Sequence, residues 1–257
     1  AFKALGGSYA MACHIAELVG KDISELPFEV MTSEEVRHDL QTVTFATTTD
    51  GNHGRGVAWM ARQLKQNAVV YMPKGSSQQR LTSIRNEGAT AEIVDMNYDD
   101  AVRMTAEQAE KYGWIVVQDT AWDGYEEIPS WIMQGYGTMA MEAGEQLKAR
   151  GVEGPTHIFV QAGVGSLAGA VVGYFANLYK DNPPKFIVVE ASAAACLYKG
   201  AAAGDGKPRM VGGDLDTIMA GLACGEPNTI SWDILKNHVT TFIAADDPIT
   251  VRGMRML

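Results

Sequence analysis

Three places in this chain put reactive side chains or exposed amides where a fold could use them. The first is Lys3, set between Phe2, Ala4 and Leu5 and followed by Gly6-Gly7. Desolvation in such surroundings lowers an amine's pKa and makes it a nucleophile toward a carbonyl, the route to a Schiff base. A solvated lysine near a helix start is the plainer alternative, and it sits badly with the positive end of a helix dipole. The second is the turn Thr47-Thr-Thr-Asp-Gly-Asn-His-Gly-Arg-Gly56, with three glycines, the Asp50 carboxylate, the Asn52 carboxamide and the His53 imidazole. The third is the run Gly163, Val164, Gly165, Ser166, Leu167 within Gln161–Gly169. Backbone N–H groups in a glycine turn that opens a helix make an anion site suited to phosphate. Asp119 joins this set because it ends a further strand, as Asp50 ends the first. Two carboxylates sharing one crevice suit an amine-bearing ligand, and one of them can act as a base. Each residue also has a bland reading: Asp50, Asn52 or Asp119 as a turn or helix cap, His53 as a packed histidine, and the glycines as aids to tight packing.

The elements that must position these groups follow from periodicity. A helix is expected over Ser8–Val19, and short helices over Asp22–Leu26 and Ser33–Leu40. Strands are expected at Val43–Thr48, Ala68–Met72, Ala91–Val94 and Trp114–Val117. Between them lie helices over Gly54–Lys65, from a capping box at Ser76 and Gln79, and from Asn97 to Gly113. A long helix, Ile128–Arg150, precedes a second alternation, with strands at His157–Val160, Phe186–Val189 and Thr240–Ala244. Ala193–Met210 reads as loop with a short helix. Strands alternating with helices of this length predict βαβ units and parallel sheets, an α/β fold. A domain boundary falls naturally in the long helix, giving a first domain over 1–140 and a second over 141–257. In such sheets ligands bind outside the carboxyl ends of the strands, where the two glycine turns lie.

Composition narrows the function. The chain has 257 residues, 46% hydrophobic and 20% charged, with a net charge of −10. This is the profile of a soluble globular protein, and it argues against a nucleic-acid groove. No apolar run approaches the roughly 20 residues a membrane helix needs. The cysteines Cys13, Cys196 and Cys224 form no paired-cysteine motif and the five histidines no zinc signature, so no metal site is expected. Reduced thiols in a cytoplasmic protein are the default expectation. The chain opens without Met and stops inside an apparent helix begun at Asp247-Pro248, as an excerpt of a longer protein would.

With these places in view, the chain resembles the tryptophan-synthase-β-like (fold type II) pyridoxal-phosphate enzymes and, among them, the diaminopropionate ammonia-lyase family. The resemblance is carried by Ala1–Gly7, Thr44–Trp59, Tyr71–Gly75, Asp95–Asp100, Val117–Trp122, Trp131–Tyr136, Gln161–Gly165 and Ile218–Asn228. The superfamily's Gly-Asn-His pattern here has Asp50 before Gly51, and Arg55 in place of Gln, which separates the chain from serine and threonine dehydratases. The resemblance implies two three-layer parallel-sheet domains, incomplete in this chain, and pyridoxal 5'-phosphate as cofactor. Lys3 would carry the cofactor, Asn52 would bond its phenolic oxygen, and Gly163, Val164, Gly165, Ser166 and Leu167 would hold its phosphate. The pyridine-nitrogen partner, a Ser or Thr, would lie beyond Leu257.

The implied reaction is α,β-elimination of 2,3-diaminopropionate to pyruvate and ammonia, with both enantiomers accepted. Lys3 would be the base for the L form and Asp50 for the D form, while Asp119 would hold the β-ammonium or serve as a base. A cytoplasmic homodimer acting on a small amino acid completes the expectation. Three alternatives stay open: a serine/threonine-type ammonia-lyase, a ligand-binding paralogue without catalysis, and a dinucleotide-binding domain.

Overall fold

The computed structural model describes residues 2–256; Ala1 and Leu257, which end two of the stretches discussed above, lie outside the described residues. Contacts divide the chain into two units. The first runs to Asp119 and includes Glu127–Gly135; the second takes Thr120–Glu126 and everything from Tyr136 onward.

The first unit contains α1 (Lys3–Leu18), α2 (Phe28–Met31), α3 (Glu34–Asp39), β1 (Thr44–Thr48), α4 (Asn52–Gln63), β2 (Asn67–Met72), α5 (Gln78–Arg85), β3 (Thr90–Ile93), α6 (Tyr98–Tyr112) and β4 (Ile115–Val116). Its sheet is parallel throughout, in the order β3-β2-β1-β4. Strand order therefore reverses between β1 and β4. Chain leaving the carboxyl ends of these two strands diverges there and opens a crevice. The core beneath is closely apolar, with Phe45, Val57, Met60, Leu64, Val70, Met72 and Ile84 at 0–2% exposure. Each such side chain contributes about 1.5–3 kcal/mol by leaving water.

Helix α1 begins at Lys3 and not at Ser8, so the Gly6-Gly7 pair lies inside the helix. Packing supplies the reason. A Cβ on Gly56 of α4 would lie 2.9 Å from Ala4 Cα, and one on Gly135 would lie 2.6 Å from Leu5 O. Glycine notches on α4 and on the start of α7 (Glu127–Ala149) let α1 approach them backbone to backbone, and this contact outweighs the low helix propensity of glycine.

The second unit carries the rest of α7, then β5 (His157–Gln161), α8 (Ser166–Leu178), β6 (Lys185–Ala191), α9 (Cys196–Ala203), α10 (Thr229–His238), β7 (Val239–Ala245) and α11 (Asp247–Met256). Its sheet is parallel, ordered β5-β6-β7. Phe186, Val188, Val172, Leu197 and Leu235 are buried in its core.

Two local readings need correction. The cap of α5 is Ser77, whose hydroxyl accepts from Arg80 N at 3.4 Å, and not Ser76. Helix α10, capped by Asn228, had no expectation attached to it. Among the described residues, no helix is long and apolar enough to cross a membrane, and no cluster of His, Cys, Asp and Glu is arranged to hold a metal.

Candidate active site

The crevice end of the first sheet is organised by a side chain that imitates backbone. Gln118, fully buried just beyond β4, accepts from Thr48 N at 2.9 Å and from Thr47 Oγ1 at 3.0 Å. Its amide donates to Thr48 O at 3.1 Å and to Tyr98 Oη at 2.7 Å. The β1–β4 ladder is thereby extended past its last backbone pair, which fixes the chain where the next residue, Asp119, is buried. Asp119 is 4% exposed and receives a charge-assisted hydrogen bond from Lys3 Nζ. Tyr98 Oη stands 3.5 Å from its other oxygen. Burial works to raise the Asp119 carboxyl, but the Lys3 ammonium, His53 and the hydrogen bond from Lys3 overcome it and hold the carboxyl well below the usual aspartate range.

Lys3 lies in the first turn of α1 with its side chain 23% exposed, its ammonium on Asp119 and Phe2's ring 5.9 Å away. The expected apolar setting is therefore only half of its environment. The amine is sheltered, and it is also ion-paired.

The turn after β1 is held by a residue the sequence reading did not single out. Thr49 Oγ1 accepts from Gly51 N at 2.9 Å and from Gly54 N at 3.1 Å. Neither Asp50 nor Asn52 caps α4. The N-cap is Gly51, at φ +146°, a conformation L side chains rarely adopt. Gly54 is equally constrained, since a Cβ there would lie 2.3 Å from Thr49 Cγ2. Asp50 ion-pairs with Arg80 at 3.0 Å, while Asn52 is exposed at the first position of α4. His53 is the packed histidine of the plainer reading: it is buried and its Nε2–H donates to Val117 O at 2.7 Å. Burial pushes its imidazole down, so it is neutral near pH 7. Arg55 turns outward to Glu87 at 3.2 Å, where Arg62 also binds at 2.8 Å.

In the second unit, β5 leads into the glycine loop and then α8. Gly165 is the N-cap at φ +105°, and no side chain caps this helix start. A Cβ on Gly165 would lie 2.8 Å from Ser231 Oγ, and one on Gly163 would lie 3.3 Å from Gly221 O. The loop is thus enclosed by two later segments and cannot accept larger residues. Val164, Ser166 and Leu167 are buried with it. A helix N-terminus lacking a side-chain cap, approached through glycines, has the donor chemistry that a phosphate monoester needs. A sheltered primary amine has the chemistry that an aldehyde needs. The two units therefore hold, separately, residue sets that fit the two ends of pyridoxal phosphate.

That inference from donor chemistry agrees with comparison. The pattern of the pyridoxal-phosphate dependent enzyme family matches residues 1–257, and the chain belongs to that family. Within it, the chain is 54% identical over 256 residues to diaminopropionate ammonia-lyase of Salmonella typhimurium and 53% identical over 257 residues to the Escherichia coli enzyme. In both comparisons all of this chain is covered, and it spans 63% of the relative's length. The crystal structure of the Escherichia coli enzyme in complex with D-serine superposes with a TM-score of 0.92 at 51% identity, covering 100% of this chain and 63% of that one. The complex of the same enzyme with an aminoacrylate-PLP azomethine reaction intermediate gives 0.89 at 52% identity, covering 100% of this chain and 62% of that one. The expected α/β fold with parallel sheets, of the fold type II kind and partial in this chain, is borne out.

Sequence reasoning passed over Thr49, Tyr98 and Asn228. Each lay in a stretch quoted for the family resemblance, but none carries a charge or a reactive group that would single it out.

Proposed function

We propose that the full-length protein is a diaminopropionate ammonia-lyase, converting D- and L-2,3-diaminopropionate to pyruvate and ammonia. One observation carries this reading: the buried Asp119 carboxylate already holds a primary ammonium, that of Lys3. A substrate with a second ammonium rewards such a carboxylate, whereas a hydroxy amino acid does not. The 53–54% identity to named diaminopropionate ammonia-lyases supports the same choice.

When bound, pyridoxal phosphate would supply an electron sink for the pair left as the Cα proton departs. The protein's residues do the rest. Residues 163–167 would hold its phosphate through backbone N–H groups and the Ser166 hydroxyl, Lys3 would hold its aldehyde carbon, and Asn52, exposed at the head of α4, would donate to its phenolic oxygen. Lys3 removes the Cα proton of the L isomer. Asp50, on the turn that follows β1 and ion-paired with Arg80, removes it from the D isomer. Asp119 stays anionic near neutral pH, because the Lys3 ammonium and its hydrogen bond hold the carboxyl down. It therefore suits binding of the β-ammonium better than service as a base.

We further infer that the two units correspond to domains over 1–140 and 141–257, and that the protein acts in the cytoplasm as a homodimer. The absence of a paired-cysteine motif supports the setting. Pyruvate release from both diaminopropionate isomers, D-serine and L-threonine tests the central reading. Turnover of both diaminopropionates is expected; activity confined to the hydroxy amino acids would overturn it.

A further inference from the structure

We propose that Asn228 is a positioning residue of the phosphate cup, orienting the Ser166 hydroxyl and tying the glycine loop to α10. The inference rests on the phosphate role assigned above to residues 163–167. Asn228 and Ser166 are 0% and 2% exposed. Asn228 Nδ2–H donates to Ser166 Oγ at 3.0 Å, and its backbone N–H donates to Val164 O at 2.7 Å. Its Oδ1 accepts from Ser231 N at 3.0 Å and so caps α10. Ser231 Oγ in turn donates to Asn228 O at 2.9 Å and occupies the space that a Gly165 Cβ would need. One residue therefore touches the loop twice and, through both its side-chain and backbone oxygens, the helix behind it.

The choice of asparagine follows from its donor and acceptor inventory. Capping α10 needs only an oxygen, which serine or aspartate supplies equally well. Donating to Ser166 while accepting from Ser231 needs a carboxamide, which carries both functions in one group. A hydroxyl that accepts from Asn228 turns its own proton away from that nitrogen. A phosphate at the start of α8 is the acceptor whose charge makes that proton most valuable. Aspartate would lose the donor and place a negative charge beside the anion. Serine would keep the cap and fall short of Ser166.

The test is cofactor binding, measured apart from turnover. Pyridoxal phosphate and unphosphorylated pyridoxal are titrated into the full-length apoprotein as wild type, Asn228→Ser, Ser166→Ala and the double variant. With Asn228 no longer orienting the Ser166 hydroxyl, loss of that hydroxyl's bond to the phosphate predicts that Asn228→Ser weakens pyridoxal phosphate about tenfold and pyridoxal by no more than about twofold. The double variant is expected to bind no more weakly than Ser166→Ala, since both changes remove the same interaction. Asn228→Asp, which keeps the α10 cap, is expected to lose more affinity for the phosphorylated compound than Asn228→Ser does, and it replaces Asn228→Ser if that variant fails to fold. Unchanged phosphate affinity, equal losses for both compounds, or additive losses in the double variant would overturn the proposal. A wild type that binds the two compounds alike would overturn the phosphate role of the loop itself, a separate and recognisable result.

Discussion

The two units use opposite strategies to present functional groups. In the first unit the groups are side chains satisfied by one another: Lys3 by Asp119, Asp50 by Arg80, Gln118 by the β1 backbone and Tyr98. In the second unit the groups are mostly main chain, fixed by positive φ at Gly165, close neighbours around Gly163 and the Asn228 bridge. Ion pairs can exchange partners, and a crevice with exchangeable charges suits steps in which an amine is bound, released and deprotonated. A glycine nest cannot rearrange in this way, which suits a permanent anchor for an anion. On the proposed function, chemistry and anchorage are divided between the units, and variants in each should fail differently.

Lys3→Ala should give the largest effect. Turnover of both isomers is expected to fall roughly 10⁴-fold or more, the upper range for loss of a group that serves as both nucleophile and base. Borohydride should no longer fix a pyridoxyl label to the protein. A labelled, active Lys3→Ala protein would dissolve the division at once. Asp50→Asn comes next, with a loss of about 10²–10³-fold on D-diaminopropionate and little change on the L isomer. Equal losses on both isomers would remove Asp50 as the base for one face. Gly165→Ala should behave in the other manner. Strain at φ +105° and the Ser231 contact predict about hundredfold weaker cofactor affinity, with turnover restored when the cofactor is raised to saturation. If saturating cofactor fails to restore the rate, the loop does more than anchor.

How much of this was legible before the structure depends on which physical signal each part leaves in the chain. The βαβ alternation was readable because buried parallel strands are apolar and β-branched, and because turn residues such as Asn97 and Gly113 mark helix ends; the Asn97 cap and the left-handed Gly113 both stand where periodicity put them. The start of α1 was not readable. Gly6 and Gly7 look like a break, and only the close approach of Ala4 to Gly56 explains why the helix continues through them. Lys3, Asp50, Asn52, Asp119 and the glycine loop could be singled out by chemical type. Pairing could not: nothing in the sequence says that Lys3 meets Asp119 across 116 positions, or that Asp50 meets Arg80. Thr49 and Asn228 were illegible for a different reason. Their work is done by short hydrogen bonds to backbone and to Ser166, and hydroxyl and amide side chains are common in turns whether or not they do such work.

The smallest expected effect concerns stability, and it separates the second unit's buried charge from the first unit's. Glu190, the last residue but one of β6, is fully buried and accepts from the amides of Leu197 and Tyr198 at 2.8 and 2.7 Å, bracing the start of α9. Burial pushes its carboxyl up to about 7, against the pull of those two amides and Cys196. Its carboxyl is shifted up where that of Asp119, paired with the Lys3 ammonium, is shifted down. A carboxyl raised in the folded state binds its proton more tightly there than when unfolded. Its contribution is therefore complete below the unfolded value near 4.5 and is lost as pH rises through about 7. Urea unfolding of wild type and Glu190→Gln at pH 5 and pH 8 isolates it. The stability of Glu190→Gln relative to wild type should improve by about 2 kcal/mol between those two pH values, because only wild type must ionise a buried group. A difference that stays constant with pH would mean that the two α9 amides hold Glu190 ionised throughout. The second unit's acid would then be built like the first unit's, stabilised as an anion, and the contrast between a charge-paired crevice and a neutral anchor would be lost.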